Sequence, residues 1–286
     1  MKATAFAPGH ISCFFEPIYS NDSFRTGSKG AGINITFGAK SEVFVKNSVK
    51  QNIEVFINNR KSNAQVTKLA MKYLIGKNPL HIVVKTSLDL PISQGFGMSA
   101  AGAVSATFAL SRIIGVSTND AIRASHFAEV QLKTGLGDVI ASCFGGIEIR
   151  KSAGLPPWGL IEHIPGNFNI VLCVVGKKIA TKQVLENKSK MNKIMEYGKF
   201  CTKKILENPS IENLFFQSQV FTKNTGLADK QILKAINAAN QYGLASMCML
   251  GNSIFAMGKT NRLCNVLLPF GKVYVCTVDE SGARIL

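Results

Sequence analysis

The chain is short of acidic residues and of paired cysteines. It has 17 Asp and Glu residues against 33 Lys and Arg residues, which gives a formal net charge of +16 at pH 7. Its seven cysteines are scattered and include no Cys-x-x-Cys pair, which excludes a disulfide framework and predicts reduced, mostly buried thiols. The positive charge favours anionic partners, either nucleotides and carboxylates or nucleic acid.

Long apolar runs and dense basic runs are also missing. No apolar run reaches the ~18 residues that cross a bilayer, and Met1–Thr4 lacks a signal-peptide pattern. The densest basic patches, Lys177–Lys178 and Lys188–Lys204, fall on patterns typical of solvated helix faces. Because 46% of the 286 residues are hydrophobic, we expect a globular, cytoplasmic protein with a large core.

A glycine-rich turn leads directly into small and apolar residues, Leu90-Pro91-Ile92-Ser93-Gln94-Gly95-Phe96-Gly97-Met98-Ser99-Ala100-Ala101-Gly102. Apolar side chains recur at helical spacing over Ala100–Ile114, so the free N–H groups and positive dipole end of a helix should face the glycines. Gly95 and Gly97 would let phosphate approach the backbone, and the Ser99 hydroxyl would reach a phosphate-bound Mg²⁺. The alternative is a tight turn before a buried helix.

Two better-known glycine motifs do not fit this turn. A Walker P-loop needs a lysine after its last glycine, and no lysine occurs between Lys85 and Lys133. The pattern Gly95-x-Gly97-x-x-Ala100 matches a dinucleotide turn, but Pro91 separates it from the preceding strand-like run. The acidic residue that should follow as a strand-end group is missing, because Asp120 is typical of a helix start.

Periodicity predicts strands and helices without strict βαβ alternation, which is typical of an α+β fold. The Gly- and Pro-rich stretch Ser152–Trp158 suggests a boundary between a unit of residues 1–151 and a unit of residues 152–286, and Ser20–Gly32 is expected to be a long loop. The predicted strands are 2–7, 11–15, 33–37, 42–45, 53–57, 81–85, 146–150, 159–163, 169–175, 246–250, 253–257 and 273–278, and the predicted helices are 64–75, 100–114, 121–132, 139–144 and several within 181–242.

Four strings together resemble the GHMP small-molecule kinase superfamily. They are Ala7-Pro8-Gly9, the turn from Pro91 to Ala101, Gly135-Leu136-Gly137-Asp138 with Gly145-Gly146 after it, and the degenerate Leu250-Gly251-Asn252-Ser253. Longer strings around them are similar to the archaeal pantoate kinase family: Ala7-Pro8-Gly9-His10-Ile11, Thr26-Gly27-Ser28-Lys29-Gly30-Ala31-Gly32, Thr134-Gly135-Leu136-Gly137-Asp138-Val139 and Met249-Leu250-Gly251-Asn252-Ser253.

The resemblance implies two lobes with the active site between them: an N-terminal lobe with a mixed or antiparallel sheet plus helices, and a C-terminal α/β sandwich lobe. It implies ATP as phosphate donor, Mg²⁺, and a small alcohol as acceptor. For the pantoate kinase family the acceptor is the terminal hydroxyl of (R)-pantoate, and the product, (R)-4-phosphopantoate, feeds coenzyme A synthesis. A homodimer is one option for the assembly. By position, the triphosphate would be held by Pro91, Gly95, Phe96, Gly97, Met98, Ser99, Ala100 and Ala101.

The resemblance also implies that Ser99 and Glu129 bind Mg²⁺ and that Asp138 faces the acceptor hydroxyl. Glu129 lies in an apolar helical context, where a carboxylate is costly to bury unless a cation compensates it. A solvated or salt-bridged Glu129 is the alternative. Asp138 follows a glycine and precedes an apolar run, so a helix N-cap is an equal interpretation.

One position departs from the family pattern. Several relatives have a lysine after Pro-Gly that is thought to keep the aspartate ionised, whereas this chain has His10, which does so only when protonated. Asp138 is then expected to orient the hydroxyl more than to deprotonate it, because phosphoryl transfer depends mostly on positioning and charge neutralisation. His10 is also a candidate substrate contact.

An acidic acceptor needs a cation. Arg25, in the predicted loop, is the first candidate for the pantoate carboxylate, Arg150 is the next, and Phe14 or Phe15 is expected to contact the dimethyl group. The full set of predicted substrate-binding residues is His10, Arg25, Ser28, Gly251 and Asn252.

Two rival functions stay open at this point. The nearest is a sibling kinase that acts on homoserine, shikimate or mevalonate, because spacing alone does not fix the acceptor. The other is a non-enzymatic RNA-binding protein, which would account for the charge but predicts a continuous basic stripe and leaves both glycine turns unexplained.

Overall fold

The structure is a computed structural model that describes residues 1–177 and 188–286. In this part of the chain, helices pack on two β-sheets, in agreement with the α+β class that the sequence predicts. The lysine-rich helical stretch predicted from Thr181 begins within residues 178–187, which lie outside the described residues.

A long antiparallel hairpin forms the centre of the first sheet. Strand β1 (Lys2–Ile18) pairs with β2 (Gly27–Asn47) along its whole length. The predicted end of the first strand at Pro8 is therefore wrong. The predicted loop over Ser20–Gly32 is present but shorter, because residues 19–26 connect the two strands and Gly27–Gly32 belong to β2. Register shifts at Pro8/Gly9 and Ser12/Phe14 bend the ladder without ending it, since a bulge tolerates a proline and adds twist.

Six shorter strands complete this sheet. Their bounds are β3 Asn52–Ile57, β4 Arg60–Ser62, β5 Leu80–Leu88, β6 Ile147–Ser152, β7 Leu160–Ile164 and β12 Arg284–Ile285. The order is β12-β1-β2-β5-β3-β4, and β6 pairs with β2 and β7. Among the described strands, β3 and β5 are the parallel pair, so the sheet is mixed.

Four helices pack with the first sheet. Their bounds are α1 Gln65–Ile75, α2 Met98–Ile114, α3 Thr118–Leu132 and α4 Asp138–Phe144. Small residues make up much of α2, and this lets the helix lie close against β1 and β2 with nearly every side chain buried. Ser117 caps α3 in a capping box with Asp120, at the helix start that the sequence predicts.

The second sheet is antiparallel, with bounds β8 Asn169–Val174, β9 Gly243–Met247, β10 Ser253–Gly258 and β11 Lys272–Thr277 and order β11-β8-β10-β9. The helices that follow residue 187 are α5 Lys188–Glu207, α6 Ile211–Thr225, α7 Lys230–Ala239 and α8 Thr260–Leu267, and a 3₁₀ turn follows at Leu268–Phe270. Helices α6, α7 and α8 pack on the second sheet, and α6 also contacts β1. Helix α5 packs on α6 and on β1, β2 and β6 of the first sheet.

The apolar core is continuous between the two sheets. The rings of Phe15 on β1 and Phe221 on α6, for example, have centroids 5.7 Å apart. Strands β7 and β12 follow residue 151 in the chain yet belong to the first sheet, and the division at that residue stays a prediction. No helix in the described residues has the length and hydropathy to cross a membrane.

Candidate active site

Both glycine turns of the sequence reach one cavity of about 320 Å³. It is bounded by β1, by the start of α2, and by the loop between α3 and α4. The predicted site residues that line it are Ser28, Gly95, Phe96, Gly97, Met98, Ser99, Glu129 and Asp138. The predicted residues outside its lining are His10, Arg25, Pro91, Ala100, Ala101, Gly251 and Asn252.

The first turn depends on left-handed backbone at its glycines. Gly95 has a φ of 81° and Gly97 a φ of 63°, values that glycine adopts without strain. A Cβ at Gly95 would lie 2.8 Å from the Cys248 carbonyl oxygen, and one at Gly97 would lie 3.1 Å from the His10 backbone nitrogen. Helix α2 then begins at Met98, so its first N–H groups are at the cavity and are available to an anion.

The C-terminal glycine motif supports this turn from behind. Gly251 packs against the backbone of Gln94 and Gly95 so closely that a side chain would overlap them. The Asn252 backbone N–H donates to Gln94 Oε1 at 3.2 Å. Gly251 and Asn252 therefore contact the glycine-rich turn that includes Gly95 and Gly97, and they do not line the cavity.

Glu129 is buried without a cationic partner. It is 2% exposed; Oε1 accepts from the Thr134 hydroxyl at 3.3 Å, and Oε2 has no partner within the described residues. Burial and the charge of Asp138 raise the pKa of Glu129 to about 8, against hydrogen bonds from Thr134 and Ser99. The structure thus shows neither the solvated nor the salt-bridged alternative.

The donor set at Ser99 and Glu129 fits Mg²⁺ bound together with a nucleotide. The described residues contain no cluster of three or more His, Cys, Asp or Glu side chains suited to a metal ion, and Mg²⁺ commonly takes one or two protein oxygens and completes its shell with phosphates and water. A hydroxyl beside a carboxylate with an unpartnered buried oxygen provides such ligands.

Asp138 faces the cavity and is held by His10. It is the first residue of α4, and the helix has no side-chain cap hydrogen bond at Gly137, so the structure does not show the N-cap interpretation. Asp138 Oδ1 lies 2.7 Å from His10 Nδ1, with the aspartate side chain 29% exposed and the imidazole fully buried. His10 therefore contacts the aspartate from behind.

Glu148 is a site residue that no motif indicated. Its Oε1 lies 2.8 Å from His10 Nε2 and accepts from Arg150 Nη1. Burial lowers the pKa of His10, but the hydrogen bonds and charges of Asp138 and Glu148 outweigh it, so that the pKa is raised overall. The alternation of Glu148 and Arg150 with isoleucines along β6 is visible in the sequence, but the burial of both faces of the strand is not.

Arg150, rather than Arg25, is the buried cation near the cavity. Its side chain is 1% exposed, and Nε and Nη2 have no partner in the described part of the chain. It lies behind the cavity wall, where a Cβ on Gly137 would be 2.9 Å from its Nε and 2.5 Å from Ser28 Oγ. Arg25 is 57% exposed and stacks on Trp158, 4.9 Å from the ring centroid.

Apolar side chains form the rest of the wall. Phe15 lines the cavity together with Leu136, Met249 and Leu250. Phe14 is fully buried in the core. Of the two phenylalanines predicted to contact an acceptor, Phe15 is thus the one at the cavity.

A second cavity of about 460 Å³ adjoins the first, and Ile92, Met98 and Ser99 line both. Its other walls are the end of β3, the start of α1 and the end of β5. No sequence motif marks it, because its apolar residues come from segments that are distant in the chain.

Comparisons with known proteins agree with this geometry. Residues 63–146 match the model of the GHMP kinases N terminal domain. The chain is 35% identical to the pantoate kinase of Methanocaldococcus jannaschii, over 96% of this chain and 99% of that one. It is 32% identical to the pantoate kinase of Methanospirillum hungatei, over 100% and 96%. The chain belongs to the pantoate kinase family.

A solved structure described as a phosphotransferase related to the CoA biosynthesis pathway supports the same conclusion. Its TM-score against this chain is 0.90 at 25% identity, covering 100% of this chain and 99% of that one. The protein is an ATP-dependent small-molecule kinase of the pantoate kinase family, and its two-lobed GHMP fold is confirmed.

Proposed function

We propose that the protein transfers the γ-phosphoryl group of ATP to the terminal hydroxyl of (R)-pantoate and forms (R)-4-phosphopantoate, in the cytoplasm, for coenzyme A synthesis. The observation that carries the proposal is that one cavity joins the glycine turn, the buried Glu129 and Asp138, and that a second cavity opens from it at Ser99. The pantoate kinases among its relatives support the choice of acceptor.

The second cavity is assigned to the adenosine and the glycine turn to the triphosphate. Backbone N–H groups and the dipole at the start of α2 stabilise anionic oxygens at the junction of the cavities. Ser99 and Glu129 would hold Mg²⁺ there, and the ion when bound neutralises charge on the phosphates. Glu129 Oε2 would gain the partner that the protein itself does not supply.

Asp138 is assigned to the acceptor hydroxyl. Its Oδ1 is engaged by His10, so Oδ2 accepts the hydrogen bond from the hydroxyl. Oδ2 takes up the proton as the new O–P bond forms and the bond from the γ-phosphorus to the bridging oxygen of ADP breaks. A carboxylate fixed on one side aims the hydroxyl oxygen at the phosphorus. Positioning of this kind is the main contribution that a protein makes to phosphoryl transfer.

Three features of the cavity suit pantoate. Ser28 offers a hydroxyl at the wall, Phe15 and Leu250 provide apolar contacts for the dimethyl group, and Arg150 lies behind Ser28 with unpartnered donors. Glu148 pairs with Nη1 of Arg150 and leaves Nε and Nη2 without a partner among the described residues. Because buried donors without a partner are costly, we assign the substrate carboxylate to these two donors, which lie behind Ser28 and Gly137.

An ADP-release assay with a panel of acceptors tests the proposal. The panel contains (R)-pantoate, (S)-pantoate, homoserine, shikimate and mevalonate, each with ATP and Mg²⁺. We expect kcat/KM for (R)-pantoate to exceed the others by ~100-fold or more, because unmatched buried polar groups reject the wrong acceptor. Preference for another alcohol would show that the protein is a GHMP kinase with a different acceptor. Turnover on none of them, together with tight RNA binding, would support the RNA-binding alternative.

A further inference from the structure

Four charged side chains form a connected row behind the cavity. Asp138 Oδ1 is 2.7 Å from His10 Nδ1, and His10 Nε2 is 2.8 Å from Glu148 Oε1. Arg150 Nη1 donates to the same Glu148 oxygen. Of the four, Asp138 alone lines the cavity, and the others have at most 1% of their side-chain surface exposed.

The partners of His10 determine its protonation state. An ionised carboxylate only accepts hydrogen bonds, and each imidazole nitrogen donates only when it carries a proton. Arg150 Nη1 also lies 3.5 Å from His10 Nε2, but the contact of Nε2 with Glu148 Oε1 is shorter, at 2.8 Å. Because the nearest partner of each ring nitrogen is a carboxylate oxygen, both nitrogens carry protons when Asp138 and Glu148 are ionised. The alternative, with the proton on Glu148 Oε1, is disfavoured because that oxygen already accepts from Arg150.

Charge balance in the row leads to the same conclusion. With His10 as an imidazolium ion, two positive groups alternate with two negative ones. With neutral His10, one negative charge would remain uncompensated in a mostly buried setting, which is unfavourable. Arg150 alone does not remove this excess, since Asp138 and Glu148 each carry a charge.

Among the described residues, Asp138 and Glu148 are the charged groups that raise the pKa of His10. The opposing strand β2 presents Gly32 and Asn34 at the pairing positions of Glu148 and His10, and a side chain at Gly32 would overlap both the imidazole and Glu148. Cys13, on the same strand as His10, has a pKa raised by burial and is neutral. Glu129 acts on the row electrostatically, through the charge of Asp138.

We propose that Glu148 is a positioning residue that holds His10 as an imidazolium ion, and that this ion orients the reacting carboxylate of Asp138. The inference rests on the proposed function, in which Asp138 faces the acceptor. Glu148 is fully buried and lines neither cavity, so its effect reaches the reaction through His10.

The protonation state is testable without any acceptor. Nitrogen-15 NMR of the wild-type protein at about pH 8, where an ordinary histidine is neutral, should show one of the four imidazoles with protons on both nitrogens. Glu148→Gln should abolish that signal, and the matched Glu162→Gln change on the adjacent β7, where the carboxylate is exposed, should preserve it. Absence of such an imidazole in the wild type, or its persistence in Glu148→Gln, overturns the proposal.

Kinetics then test the link to Asp138. Glu148→Gln removes a negative charge beside His10, so the alkaline limb of the kcat profile should move to lower pH by about one unit or more. The rate should recover toward wild type near pH ~6, where histidine is protonated without a charged partner. A loss of the same factor at every pH would indicate a structural role and overturn the proposal.

A further variant guards against failure to fold. Glu148→Asp retains the charge, so a folded Glu148→Asp protein should keep the doubly protonated imidazole, and its absence there would also count against the proposal. If pantoate is not the acceptor, the NMR results stand unchanged while the assay of the proposed function fails. The two failures are therefore distinguishable.

Discussion

At the residue scale, the chemistry of the cavity depends on three buried or half-buried carboxylates with different partners. Glu129 has an oxygen without a partner, Asp138 is held by a histidine, and Glu148 is shared by His10 and Arg150. Glu129 and Asp138 were predicted from the resemblance to GHMP kinases, and the apolar helical context of Glu129 supported its part of the prediction. Glu148 was not predicted, because its role depends on strand register, which brings together residues 138 positions apart.

Ser99→Ala should lower turnover by ~100-fold or more, because it removes a hydroxyl assigned to the cation at the phosphates. Ser111→Ala is a matched control. Ser111 is buried in the same helix, and its hydroxyl bonds to the Phe108 carbonyl oxygen at 2.9 Å. Steady-state kinetics and thermal unfolding of both variants measure the difference. Near-wild-type turnover in Ser99→Ala would contradict the assignment of this turn to the triphosphate.

Glu129→Gln should reduce the pH dependence of stability. The pKa of Glu129 is raised from 4.5 to about 8 in the folded protein, so between these values the folded state keeps a proton that the unfolded chain has lost. The free energy of unfolding therefore falls as the pH rises through this range, and glutamine lacks this contribution. The raised pKa of His10 also makes the free energy of unfolding fall as the pH rises above about 6.5, but this contribution is the same in both proteins.

Denaturant unfolding of nucleotide-free protein at about pH 5 and about pH 8 measures this effect. The wild type should lose more stability than Glu129→Gln between the two conditions, by up to a few kcal/mol. Equal losses in the two proteins would mean that Glu129 is not buried as a protonated group.

Arg150→Lys should raise KM for pantoate by ~10-fold or more, equivalent to about 1.4 kcal/mol, because a lysine keeps the charge but loses the planar set of donors. The KM for ATP should change little. Arg25→Ala is the paired variant, and we expect it to leave both constants near wild type because Arg25 is exposed and stacked on Trp158. A raised KM for pantoate in Arg25→Ala, with no change in Arg150→Lys, would assign the substrate carboxylate to Arg25 instead.

At the element scale, the glycine-rich turn and helix α2 are the part of the candidate site that the sequence predicts most closely. Helical spacing and the glycines predicted this helix to within two residues of its observed start and to its observed end. The hairpin of β1 and β2 was less predictable. Glycine and serine residues over Gly27–Gly32 suggested a loop, whereas in the sheet they permit close packing against β1 and leave room for His10.

Gly97→Ala and Gly115→Ala form a matched pair that separates backbone strain from site disruption. Both glycines flank α2 with left-handed backbone, at φ values of 63° and 74°, so each alanine costs roughly 1 to 2 kcal/mol in strain. A Cβ at Gly115 meets no atom within 4 Å, whereas one at Gly97 lies 3.1 Å from the His10 backbone.

We therefore expect both variants to lose thermal stability, Gly97→Ala by more because of its contact with the His10 backbone, and we expect a loss of ATP affinity in Gly97→Ala alone. Calorimetric titration with ATP and Mg²⁺ measures that affinity. Equal affinities in both variants would contradict the assignment of the turn to phosphate binding.

At the scale of the whole molecule, two cavities meet at Ser99, and the proposed function puts the nucleotide and the acceptor end to end in them. The net charge of +16 fits this arrangement, because both proposed substrates are anions that a positive field attracts. Charge alone could not have separated a kinase from an RNA-binding protein. The shared cavity wall and the family relationship make that distinction.

The most direct test of the account is the separation of ATP binding from phosphoryl transfer in Asp138→Asn. This change preserves shape and removes charge, so ATP affinity should remain within about threefold of wild type while transfer to pantoate falls ~100-fold or more. Calorimetry measures the affinity, and ³¹P NMR follows the appearance of phosphate on the terminal hydroxyl of pantoate. Wild-type transfer rates in Asp138→Asn, or equal losses of affinity and transfer, would contradict the role of Asp138 at the acceptor.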